Sequence, residues 1–225
     1  MKNSKNFVIF ADGKNEIFNG KGFQALFPGQ TVIALDGASE ILRKASIIPD
    51  VILGDMDNVS SETLKFFAKL GTEILLRPDQ NFSDLEKAIF YCKENGAQSI
   101  TITNATSGRF DHTIANIFFL KKYHSLECDM KILDNGATIM YEEESELVIR
   151  AKVGCKCGFF GAPQCKISSH GLKYELDNFE SLLGFSESLA NEFSRSDVQL
   201  KISGQCLLTF ELGDKFPLTL RSRSL

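Results

Sequence analysis

Apolar residues recur along this chain in two rhythms, and the change between them falls near residue 136. Up to that point, short solid apolar runs alternate with segments of helical period. The runs at 7–11, 31–35, 51–53, 73–76, 99–103 and 130–133 predict buried strands. Between them, residues 61–70 carry Leu64, Phe67 and Ala68 on one helical face and stop at Gly71, a residue suited to the position after a helix. Residues 84–95 carry Leu85, Ala88, Ile89 and Cys92, begin with the capping-box pair Ser83 and Glu86, and stop at Gly96. Residues 110–123 place Phe110, Ile114, Ile117 and Phe118 at helical spacing. Strands alternating with helices predict parallel pairing with right-handed crossovers, and so a three-layer, Rossmann-like α/β domain.

Beyond residue 136 the helical period fades. Val198, Leu200 and Ile202 alternate, and Ser203-Gly204 before the apolar run 206–212 predicts a hairpin. Glycines at 154, 158, 161, 171, 184 and 204 punctuate the segment. This half reads as a small antiparallel β-sandwich or barrel. The expected domains are therefore 1–136 and 137–225, packed together, since no linker or repeat separates them.

Composition narrows the function classes. The 225 residues are 43% hydrophobic and 24% charged, as in an ordinary globular protein, and the net charge of −4 argues against a nucleic-acid partner. The short basic run Arg221-Ser222-Arg223 reads as a solvated end, and Gly20-Lys21-Gly22 as a surface turn. No apolar run reaches the length of a membrane span, and residues 1–6 are polar with no signal-peptide core, so no membrane is expected and the cytoplasm is the expected compartment. Six cysteines without a Cys-x-x-Cys pair fit reduced thiols; Cys155, Cys157 and Cys165 supply at most three-quarters of a zinc site.

The chemistry gathers at the predicted strand ends, where open parallel sheets bind ligands. Asp12-Gly13 follows the first run, Asp36-Gly37 the second, Gly54-Asp55-Met56-Asp57 the third, Asp79-Gln80 through Ser83-Asp84 the fourth, and Asn104 through His112 the fifth. Together they make an acidic rim with one prominent cation, Arg109. Such a rim suits a hard divalent ion held by carboxylates and substrate phosphates. Asp55 and Asp57 face one point if the segment between them is extended, and Asp84 offers a third oxygen from a helix start. Turn formation and helix-dipole effects explain the same acids without a ligand. Ser107-Gly108-Arg109 opens a helix, where backbone N–H groups and a guanidinium suit phosphate oxygens; a salt bridge from Arg109 to Asp111 or Asp84 is the structural alternative. The P-loop and protein-kinase signatures are absent.

In this order these residues resemble the thiamine pyrophosphokinase family. The resemblance rests on Asp36-Gly37-Ala38-Ser39, on Pro49-Asp50 through Gly54-Asp55-Met56-Asp57-Asn58, on Asp79-Gln80 through Ser83-Asp84 to Lys87-Ala88, and on Ser107-Gly108-Arg109-Phe110-Asp111-His112 with Asn116. In the second half, Gly171-Leu172-Lys173-Tyr174 and Ser188 through Phe193 resemble the family's thiamine-side segments. The resemblance implies diphosphate transfer from ATP to thiamine with Mg²⁺ as cofactor, ATP and metal on the first domain, thiamine on the second, and a homodimer with thiamine near the subunit interface. It implies Asp55, Asp57 and Asp84 as metal ligands, and Gln80, Ser83, Gly108, Asn116 and Arg109 around the phosphates. Asp36 and Asp111 complete the catalytic set, either one being a candidate base, and Ser188 and Asn191 lie on the thiamine side. Ala190 stands where the family usually has serine, and the chain has no tryptophan, so any aromatic stacking on thiamine must use Phe193 or another ring. Three rival readings are a glycosyltransferase using Asp-x-Asp, a diphosphokinase acting on a hydroxymethylpterin, and a non-catalytic thiamine or nucleotide sensor. The first leaves the segments 79–84 and 109–112 unexplained.

Overall fold

A computed structural model describes residues 5–13, 27–134, 136–211 and 218–222; the turn expected at 20–22 and Arg223 lie outside them. The chain divides into two compact units, Met1–Asn135 and Gly136–Leu225.

The first unit is a parallel sheet with helices. Its strands are β1 (Asn6–Phe10), β2 (Thr31–Leu35), β3 (Val51–Gly54), β4 (Glu73–Leu76), β5 (Ser99–Thr103) and β6 (Asp129–Asp134). They lie in the order β6-β5-β1-β2-β3-β4, every neighbouring pair parallel. The order reverses between β1 and β5, so the crevice for a ligand opens where those two strands end. Solid burial explains the solid apolar runs: Val8, Ile9, Ile33, Ile52, Leu53, Ile100 and Ile102 are all buried.

The helices of this unit are α1 (Ala38–Lys44), α2 (Ser61–Lys69), α3 (Asp84–Glu94) and α4 (Phe110–Lys122). α1 was not marked by the apolar pattern; it is only seven residues long, too short for a period to show. α2 buries Phe67, α3 buries Leu85, Ala88, Ile89 and Cys92, and Gly71 and Gly96 follow their ends with positive φ. α4 departs from expectation. Phe110, Ile114 and Phe118 are 77%, 42% and 45% exposed, and Leu120 is the buried residue of this helix.

The second unit is antiparallel. β7 (Ala137–Arg150), β11 (Asp197–Glu211) and β8 (Lys156–His170) lie side by side. β12 (Leu218–Ser222) pairs with β7, while β9 (Phe179–Leu182) and β10 (Ser188–Glu192) pair with β8. Leu147, Ile149, Phe159, Ile167, Phe193 and Phe210 form its core, with Phe210 edge-on to both Phe159 and Phe193. The hairpin expected at Ser203-Gly204 is instead a bulge inside the continuous strand β11, where the register shifts between Ile202 and Gln205. Gly204 takes φ +89° there, its N–H donates to Glu144 at 2.6 Å, and a Cβ would lie 2.7 Å from the Gln164 carbonyl oxygen. A glycine between two alternating runs signals either device, and here one partner strand accepts both runs.

All six cysteines are free and buried. Burial pushes the Cys157 thiol up to about 12. Among the described residues, Cys155, Cys157 and Cys165 form no metal-binding constellation, and no helix is long and apolar enough to cross a membrane.

Candidate active site

Three carboxylates converge at the ends of the parallel strands. Asp36 follows β2, Asp55 follows β3 and Asp84 opens α3; one oxygen from each lies within 4.8 Å of the others. Asp36 is almost fully buried, accepts the Gly37 N–H at 2.7 Å and the Asn58 N–H at 3.3 Å, and is pushed up by burial against those bonds, with the charges of Asp84 and Asp55 adding to the rise. Burial likewise raises Asp84, against the pull of Lys87. Carboxylates that repel one another this closely are a poor arrangement without a cation, and an all-oxygen donor set suits Mg²⁺. The residues present therefore fit a divalent ion.

Asp57 is not part of that group. The segment between Asp55 and Asp57 is not extended: Met56 has φ +67°, and the Asp57 N–H turns back to the Asp55 carboxylate at 3.3 Å. The two acids share a side-chain hydrogen bond that raises Asp57, while the Gln80 amide, 2.9 Å from Asp55, holds Asp55 below the usual carboxylate range. Gln80 thus braces an acid. The Asn58 amide in turn donates to Asp57.

Lys87 is a second cation at this rim. It is buried, lies 2.9 Å from Asp84 and donates to the Arg77 carbonyl at 2.9 Å. Ser83 caps α3: its hydroxyl accepts the Glu86 N–H at 3.3 Å and donates to the Glu86 carboxylate at 3.1 Å. Its one proton is therefore spent within the cap.

The loop from Asn104 to Arg109 is fixed from three sides. Asn104, buried with φ +58°, donates its amide to the carbonyls of Ala11 (2.9 Å) and Gly13 (2.5 Å), joining the ends of β1 and β5. Asp134 accepts the Thr106 N–H and hydroxyl at 2.7 and 2.8 Å. Asn116 donates to the Ala105 carbonyl at 2.8 Å. The Ser107 hydroxyl is buried and has no partner among the described residues. α4 begins at Arg109, whose side chain does not cap it, unlike α2 and α3; the His112 N–H is taken by the Asp111 carboxylate at 3.0 Å, which leaves the N–H groups of Phe110 and Asp111, next to Gly108, to face an anion. Arg109 itself forks onto Asp111 at 3.1 and 2.5 Å, with both side chains largely exposed. That bond holds the Asp111 carboxyl down at about 2.

On the second unit Asn191 is buried and acts as a clamp. It accepts the Tyr174 N–H at 3.2 Å and donates to the Tyr174 carbonyl at 2.7 Å. Tyr174 is 62% exposed, whereas Phe193 is 1% exposed and packed in the core, so Phe193 cannot stack on a ligand. Lys173 lies over the Tyr174 ring and bonds Glu192, which also takes Lys156. Ser188 is half-buried opposite Phe159, and Ala190 occupies the adjoining bulge at φ +56°. Lys87, Asn104 and Tyr174 lie in segments the sequence marks but were given no role of their own there, and Asp134 was not marked at all. Lys87 was visible as the i+3 partner of Asp84; a strand-end Asp134 reaching across to Thr106 left no sequence signal.

Residues 23–133 match the model of the thiamin pyrophosphokinase catalytic domain, and residues 143–207 match that of the thiamin pyrophosphokinase vitamin B1 binding domain. Thiamin pyrophosphokinase 1 of Caenorhabditis elegans is 30% identical over 80% of this chain and 78% of its own length. Thiamine pyrophosphokinase 3 of Oryza sativa subsp. japonica is 32% identical over 81% of this chain and 69% of its own. The crystal structure of thiamine pyrophosphokinase from Bacillus subtilis superposes with a TM-score of 0.79 at 23% identity, covering 93% of this chain and all of that one, which shows a shared fold. With strand-end carboxylates, an uncapped α4 and both family models in register along it, this chain belongs to the thiamine pyrophosphokinase family.

Proposed function

We infer that this chain catalyses attack of the thiamine hydroxyl on the β-phosphorus of ATP, releasing AMP and forming thiamine diphosphate. The observation that carries the reading is the meeting of Asp36, Asp55 and Asp84 within 4.8 Å. These three would hold Mg²⁺, with Asp57 beside Asp55 at the edge. When bound, the ion would neutralise the phosphate oxygens.

The chain's own groups do the rest. Arg109 exchanges Asp111 for a phosphate at small cost, because solvent screens an exposed pair of this kind. A guanidinium then offers two parallel N–H bonds to the transferred group. The N–H groups of Gly108, Phe110 and Asp111 add donors, the His112 N–H being held by Asp111. Asn104, Asp134 and Asn116 keep this loop in place, so little reorganisation is needed at the transition state. Asp111, held near 2 by Arg109, is a weak base until Arg109 leaves it. The first unit thus takes ATP and metal. The second takes thiamine, with Tyr174 as the exposed ring, Ser188 alongside and Asn191 as its clamp. The match of residues 143–207 to a vitamin B1 binding domain supports thiamine over a pterin alcohol. The exposed Phe110-Ile114-Phe118 stripe supports a homodimer, and six unpaired cysteines suit the cytoplasm.

The test is AMP release from ATP by the purified protein, with the product identified by mass. AMP and thiamine diphosphate should appear together, only with thiamine and Mg²⁺ present. AMP formation stimulated by a hydroxymethylpterin and not by thiamine overturns the substrate; no AMP with either acceptor leaves a sensor.

A further inference from the structure

Glu86 is almost fully buried on α3 and makes more bonds than a capping box needs. One oxygen accepts the Ser83 N–H and hydroxyl, both at 3.1 Å. The other accepts Lys122 at 2.6 Å and the Tyr123 hydroxyl at 2.5 Å, both from the end of α4. The remaining contacts on this side of α3 also converge on Tyr123. Its ring meets Phe90 edge-on with centroids 5.4 Å apart, and Phe90 meets Phe82 in the same way at 5.1 Å. Lys93 donates to the Tyr123 carbonyl at 2.6 Å. Residues 86, 90 and 93 share one helical face, so that face of α3 is held by Lys122 and Tyr123 at the end of α4, with Tyr123 touching all three. Lys87 leaves the helix on another face, toward Asp84 and the Arg77 carbonyl.

We propose that Glu86 and Tyr123 are positioning residues for the reaction, bracing the start of α3, and with it Asp84, against the helix whose other end carries Arg109. A plain capping box needs only the Ser83 half of the carboxylate. The second half ties the cap to a different helix, and carries its information only across the fold. Groups that hold metal ligands from behind tune a site they never touch. The inference rests on reading Asp84 as a metal ligand, and the experiment separates the two.

Glu86→Gln and Tyr123→Phe probe the brace from its two sides. Glutamine keeps one oxygen for Ser83 but turns an amide toward Lys122, donor against donor, so the cap survives and the brace does not. Tyr123→Phe removes a single hydroxyl and leaves the ring packing intact. Mn²⁺ affinity is measured by the electron paramagnetic resonance of free ion, alongside kcat, the KM for thiamine and thermal unfolding, with Asp84→Asn as the control. Each brace variant should bind Mn²⁺ about 10-fold more weakly and lose about 10-fold in kcat, with the thiamine KM unchanged. The double variant should be no worse than the poorer single one, because both break one link. Native Mn²⁺ affinity and kcat in Tyr123→Phe, while Asp84→Asn loses metal, overturns the brace even if the melting temperature falls. If Asp84→Asn itself keeps metal, it is the ligand reading that fails.

Discussion

Gly54 ends β3 against the Asp36 carboxylate, and adding one methyl group there tests the geometry of the acidic cluster. A Cβ on Gly54 would lie 2.9 Å from Asp36 Cγ, 3.0 Å from its Cβ and 3.2 Å from Oδ1. Carbon atoms rest ~3.5–4.0 Å apart, so Asp36 must retreat by ~0.5–1 Å. It has little room: it is 2% exposed, and two backbone N–H groups already fix its oxygens. Overpacking of this kind costs ~1–3 kcal/mol, and loosening one bond to a charged group adds ~1 kcal/mol. For Gly54→Ala the sum is about 2–4 kcal/mol, or a fall of roughly 4–16 °C in melting temperature for a chain of this size. The displaced oxygen also leaves the three-carboxylate group, so Mn²⁺ should bind at least about 10-fold more weakly. Differential scanning calorimetry without metal and a Mn²⁺ titration read the two effects separately. A variant that melts like the parent and binds Mn²⁺ as tightly would show that Asp36 retreats freely and is not needed as a ligand. A lower melting temperature with native metal affinity would keep the packing argument and remove Asp36 from the ligand set.

Asn191→Ala should cost about 1–3 kcal/mol, because it strips the side-chain partners from the part-buried N–H and carbonyl of Tyr174. It should raise the thiamine KM and leave the ATP KM unchanged; an unchanged thiamine KM would mean Tyr174 does not face the substrate. For Glu86, burial works to raise the pKa, but the bonds from Lys122, Tyr123 and Ser83 hold it at about 2. Its unfolded value is about 4.3, so its stabilisation is present in full above that pH and disappears as the pH falls toward 2. The stability gap between parent and Glu86→Gln in urea unfolding should therefore narrow steadily below about pH 4.3; a gap independent of pH contradicts the assignment. The proposed homodimer predicts that the parent sediments as a dimer and that Phe118→Glu, which places a charge in the exposed stripe of α4, sediments as a monomer; a monomeric parent would overturn the dimer, and an unshifted dimer would place the subunit contact elsewhere.

The parallel half of the fold was legible because burial on both faces leaves solid apolar runs, and the predicted strands 31–35 and 99–103 match β2 and β5 to the residue; 73–76 matches the edge strand β4 as well, although it is only partly buried and Leu76 is exposed. The carboxylates were legible for a related reason: strand ends are where polar residues interrupt such runs. α1 was too short to show a period. The apolar face of α4 showed the right period and the wrong partner, since periodicity reports a face and never says whether this chain covers it. Ser203-Gly204 signalled a change of direction in the backbone, but whether two runs pair with each other or continue along one neighbour is decided by β8 and β7, far away in sequence.

The Asp-x-Asp pair exposes a deeper limit. Two acids at i, i+2 face one way only if the intervening residue is extended, and Met56 at φ +67° turns that assumption over. Asp57 then turns back on Asp55 as a hydrogen-bond partner, and the acid that lies within 4.8 Å of both Asp55 and Asp84 is Asp36 from the neighbouring strand. Parallel strands put successive carboxyl ends side by side, so an acid one strand away in space competes with an acid two residues away in sequence. The open sheet therefore favours ligand sets assembled across strands. Gly54 belongs to the same logic: with no side chain at the end of β3, the Asp36 carboxylate can lie against the strand and reach Asp55 and Asp84. The glycine before the acidic pair is thus as much a part of the cluster's geometry as the acids themselves.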